Sequence, residues 1–241
     1  MRGLVLALLS SLLISPLSVV AQEAALHKSY ELEALGKYGE ASAALAMDDN
    51  AATGPNSSFM LARRGWLAYM QGLFNESVSL YKRSLERNPK SIEARVGITL
   101  PLLAQQRWRE TALYARQIIA ESAWDYTAHV RLMVAEEGMK DWKGLQEHAQ
   151  KFTERYPSDT SAWVYLARAH AWQGNTKEAR LAYQRVLERF PKHIEATRYL
   201  AVPTQVPAQL APAQAASPAA PPSAQPAPPP ASPPPASPPP G

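Results

Sequence analysis

The side chains best suited to proton transfer or metal binding here are five histidines, His27, His129, His148, His170 and His193. A helix-borne zinc pair needs two histidines four residues apart with a glutamate between them as base. No HExxH stretch occurs, and no two of these histidines stand at a metal-ligand spacing. The chain lacks cysteine, which removes thiolate zinc sites, disulfides and thiol nucleophiles together. There is no phosphate-cradling glycine loop, no GxGxxG and no GxSxG. His170 is expected in a core, and the acidic pairs Asp48-Asp49 and Glu136-Glu137 on solvated turns or faces. No general acid and base converge in the sequence pattern, so it predicts a non-enzyme with no metal and no cofactor.

Recognition is the chemistry that remains, and it depends on the elements that carry the side chains. Residues 1–21 read as a secretory signal peptide, with one charge at Arg2, an apolar run from Leu4 to Ile14 and a small-residue exit at Val19-Val20-Ala21. Cleavage is expected near Ala21. The run is shorter than the roughly 20 residues of a membrane helix, so no stable membrane span is expected afterwards. A periplasmic or otherwise secreted location follows. Residues 201–241 carry no charge and are dominated by Pro, Ala and Ser, the composition of a disordered tail acting as a semi-rigid spacer. The formal charge of +4 is dispersed and forms no basic stripe, which argues against nucleic acid as a partner.

Between these ends, residues 22–200 repeat. Pro89, Pro157 and Pro191 lie two periods and one period of 34 residues apart, each closing an apolar-periodic stretch. The same step links Gly72, Gln106, Lys140 and Gly174, then Phe74, Trp108, Trp142 and Thr176, then Ser77, Thr111, Leu145 and Ala179. Gly36, Tyr38 and Ala41 repeat the internal spacing in an earlier unit, separated by a turn signal near Asp48 to Pro55. Apolar positions recur at three and four within each unit, which predicts helices. Helices this short are marginal alone and must lean on neighbours. Pro101 falls inside one of them and predicts a kink between Gly97 and Leu102. Met133 and Leu145 stand where other units have small residues, so that hairpin is expected to splay.

Ser58 to Pro89, Tyr126 to Pro157 and Thr160 to Pro191 resemble tetratricopeptide repeats. Thr160 to Pro191 matches best, through Trp163, Leu166, Ala167, Gly174, Ala179, Tyr183, Val186 and Pro191. The resemblance implies an all-α, right-handed α-solenoid of about five antiparallel helix pairs with one concave face. Lys192 to Leu200 would form a C-terminal capping helix. It also implies a protein-binding scaffold of the bacterial cell envelope. In that register the first helices present Tyr30, Phe59, Arg63, Trp66, Tyr69, Arg131, Arg168 and Trp172 to a groove, while Trp108, Trp142 and Trp163 pack as core. Some family members clamp a peptide carboxylate at positions that are here Ala62, Val96, Val130 and Val164, so no such clamp is expected. The expected partner is an envelope protein or a peptide with some acidic character, bound more weakly at high salt. Aromatic stacking on an envelope glycan is the alternative.

Overall fold

The computed structural model describes residues 16–45 and 57–202. Most of the expected signal peptide, the turn near Asp48 to Pro55 and the tail from residue 203 lie outside the described residues. Among those described there are eleven helices and no strand. They are α1 (Pro16–Ala34), α2 (Tyr38–Ala44), α3 (Ser57–Met70), α4 (Phe74–Arg87), α5 (Ile92–Ala104) and α6 (Trp108–Glu121). The series continues with α7 (Tyr126–Gly138), α8 (Trp142–Arg155), α9 (Thr160–Trp172), α10 (Thr176–Arg189) and α11 (Ile194–Ala201). Odd-numbered helices open each hairpin and even-numbered helices close it; α11 packs on α10. None of these helices is long and apolar enough to cross a membrane.

The repeat is visible atom by atom. Ser77, Thr111, Leu145 and Ala179 are all fully buried. Phe74, Trp108, Trp142 and Thr176 are each the first residue of a closing helix. The opening helices are capped at one position per repeat: Ser91 accepts from the Ala94 amide, Asp125 from Ala128 and Asp159 from Ala162. One step further, His193 Nδ1 accepts from the Ala196 amide at 3.3 Å, which gives this histidine a structural role.

The turns inside the hairpins all need a left-handed residue. Gly36, Gly72 and Gly174 supply it at φ of 71°, 76° and 80°, while Gln106 and Lys140 adopt it at 56° and 59° despite their side chains. An L-residue is strained there by about 1 kcal/mol. Gln106→Gly and Lys140→Gly should therefore each raise unfolding free energy by about 0.5–1 kcal/mol, read by urea denaturation, with no change of helical content.

Two sequence expectations are refined by packing. Helix α5 is continuous from Ile92 to Ala104 with Pro101 buried inside it. Gly97 does more than yield to that proline: a Cβ there would lie 2.6 Å from the Tyr81 hydroxyl oxygen, and one on Gly65 3.0 Å from the same ring. Tyr81 is thus seated against backbone on two sides. In the fourth hairpin, Met133 and Leu145 are both fully buried, and α7 and α8 approach each other less closely than α3 and α4 or α9 and α10. His129, His148 and Phe152 fill the space between them.

Candidate functional site

Successive opening helices touch one another directly, α3 with α5, α5 with α7 and α7 with α9, and so form a continuous wall. The predicted groove residues lie on α3, α7 and α9, with Tyr30 on α1, and they divide into two groups. The arginines bind the protein itself. Arg63 is buried, pairs with Glu33 of α1 and places its guanidinium 3.8 Å over the Tyr30 ring. Trp66 Nε1 donates to the same Glu33 carboxylate at 2.7 Å. Arg131 on α7 donates to the Val96 carbonyl and to Thr99 Oγ1 of α5. Burial lowers its pKa to about 10, with Tyr81 and Tyr69 opposing, so it remains a cation at neutral pH.

Arg168 on α9 is held from both sides. Its Nε and Nη2 donate to Glu195 of α11 at 2.8 and 2.6 Å, and Nη1 donates to Glu137 of α7 at 3.0 Å. Hydrogen bonding to Glu195 is the main cause that raises the Arg168 pKa. The two carboxylates respond oppositely. Burial pushes Glu195 up, but its bonds from Arg168 and Tyr183 outweigh burial and leave it below the ordinary value. Glu137 receives only one arm of the guanidinium, burial wins, and its pKa is raised. Each arginine therefore bolts one opening helix to the next, in place of waiting for an acidic ligand.

The aromatics remain partly free. Tyr30 and Phe59 are 38% and 40% exposed. Tyr69 is half-buried between Trp66 and Phe74, at 5.8 Å from each ring. Trp172 is 44% exposed but lies flat on Trp142, with centroids 5.1 Å apart. Trp108, Trp142 and Trp163, expected as core, are half-buried packing residues: Trp108 meets Gly138, and Trp163 Nε1 donates to the Pro157 carbonyl at 2.9 Å. Ala62, Val96 and Val130 are half-buried and Val164 is buried, consistent with apolar walls.

One cluster was hidden by sequence spacing. His129 Nδ1 and His148 Nε2 meet at 2.7 Å across the α7–α8 hairpin, His148 Nδ1 meets Glu136 Oε2 at 2.8 Å, and His129 Nε2 meets the Ala123 carbonyl at 3.0 Å. The Glu136-Glu137 pair, expected to be solvated, is instead engaged at both residues: Glu136 is only 4% exposed. The 19-residue spacing of the two histidines matches no linear motif; only the hairpin register could have joined them. His170 is buried, as expected, and burial lowers its pKa. No group of three His, Cys, Asp or Glu residues suited to a metal ion occurs among the described residues.

Hairpins of two helices, stacked with a left-handed turn in each and a wall of opening helices, define an α-helical repeat protein. Residues 160–202 match the family model described as tetratricopeptide repeat. The chain carries a tetratricopeptide repeat and has the tetratricopeptide-repeat fold. Among solved structures it is similar to MamA 41-end from Desulfovibrio magneticus RS-1, at 17% identity and a TM-score of 0.65, over 72% of this chain and 97% of that one. A tetratricopeptide repeat protein from Parabacteroides merdae aligns at 15% identity and 0.68, over 75% and 71% of the two chains. YrrB, described as a TPR protein with an unusual peptide-binding site, aligns at 14% identity and 0.62, over 72% and 89%. No curated protein sequence matches the chain.

Proposed function

We propose that this protein is a non-catalytic scaffold of the cell envelope that binds a protein or peptide along the wall of opening helices. The supporting observation is the division just described: the arginines are spent on inter-repeat bonds, while Tyr30 and Phe59 keep more than a third of their surface open on that wall. Aromatics of this kind anchor interfaces. The description of YrrB as peptide-binding adds a precedent on the same fold. The envelope location rests on the apolar run from Leu4 to Ile14, and N-terminal sequencing of the exported protein should begin at Gln22.

The partner expected from the sequence was salt-sensitive. With the guanidiniums already paired, binding should instead depend weakly on ionic strength. Phe59→Ser, which leaves Tyr30 in place under the Arg63 guanidinium, should weaken partner binding about tenfold or more, measured by titration calorimetry. Undiminished affinity would remove the groove reading. Competition by soluble envelope oligosaccharide would favour the glycan alternative.

A further inference from the structure

The hydrogen-bond chain from Ala123 through His129 and His148 to Glu136 has a fixed proton count. The Ala123 carbonyl can only accept, so His129 Nε2 carries a proton. One proton must lie between His129 Nδ1 and His148 Nε2, 2.7 Å apart, and one between His148 Nδ1 and Glu136, 2.8 Å apart. Three protons on the four ring nitrogens, with Glu136 ionised, satisfy every contact. A fourth sets two N–H groups against each other; removing one leaves two lone pairs facing. With Glu136 as the carboxylate, the chain closes only in the three-proton state.

We propose that His129, His148 and Glu136 form a proton-gated latch that holds α7 to α8, closed near neutral pH and released by acid. The hairpin it closes is the one that packs least tightly, between the bulky Met133 and Leu145. The groups around it favour the three-proton state. Arg116 of α6 lies 3.5 Å from Glu136 and sets a positive charge beside that end of the chain. Asp125 at the start of α7 is the other acid acting on His129. Trp124 stacks on His129 at 5.7 Å with Arg155 of α8 over its ring, and Phe152 of α8 lies 5.2 Å from His129. Burial is the main cause that lowers the His129 pKa. A histidine with a lowered folded pKa binds its proton more readily when unfolded, so the hairpin loses stability as pH falls below about 6.5.

The test is amide hydrogen exchange on the full chain at about pH 5 and pH 7, corrected for intrinsic rate. Protection of α7 and α8 should fall about tenfold or more at the lower pH, while α9 and α10 change little. His129→Asn keeps an acceptor that cannot be protonated and should abolish the acid loss. Glu136→Gln can donate to a neutral His148 and should leave the hairpin protected above neutral pH. Nitrogen-15 spectra of the wild-type imidazoles provide a readout that survives any variant failing to fold. Near neutral pH they should show three protonated ring nitrogens across His129 and His148. Two protonated nitrogens there, or equal acid sensitivity in wild type and His129→Asn, would overturn the latch.

Discussion

Gly97→Ala should destabilise the protein by about 2 kcal/mol, although alanine normally improves a helix by nearly 1 kcal/mol. The new Cβ would lie 2.6 Å from the hydroxyl oxygen of Tyr81, whose ring is 3% exposed and has Gly65 on its other side. A packed ring with backbone on both faces cannot move without opening the α3–α4–α5 contact. Urea unfolding should show the loss in the wild-type background. In a Tyr81→Ala background the collision is gone, and the same alanine should be neutral or stabilising. A stabilising Gly97→Ala in the wild type would mean that Tyr81 does not key the α5–α6 hairpin to the α3–α4 hairpin.

Glu136→Ala is the second large effect, about 3 kcal/mol at neutral pH. It removes the carboxylate that His148 Nδ1 meets at 2.8 Å, and it leaves a void where a 5% exposed side chain stood. Glu136→Gln should retain most of that stability, because its amide can donate to His148 Nδ1. Denaturant midpoints of the two variants, compared at neutral pH, separate a proton chain from simple packing: equal losses would mean that only volume matters.

The 34-residue register was readable because steric demands recur at fixed positions. Prolines close helices, left-handed turns attract glycine, and buried small residues let helices approach. Even Gln106 and Lys140, which break the glycine rule, were placed correctly by their spacing. Side-chain pairing was less legible. Arg63, Arg131 and Arg168 looked like groove cations because a helix register tells which wall a residue occupies, not which neighbouring helix carries its acceptor. Their partners Glu33, Val96 and Glu195 stand 27 to 35 residues away. The His129–His148 contact was opaque for the same reason, with a further clue missed. Two bulky residues at Met133 and Leu145 hold a hairpin open, and buried polar groups can occupy such a space only if they bond to one another.

Site-specific photo-crosslinking tests the central claim most directly, with p-benzoylphenylalanine placed singly at Phe59 on the opening-helix wall and at Leu181 on closing helix α10. Both positions are exposed, at 40% and 54%, so reactivity with a bound partner reports location and not accessibility. A scaffold that binds along its opening helices should crosslink its partner from Phe59 and not from Leu181. Capture from Leu181 alone, or equally from both, would contradict it.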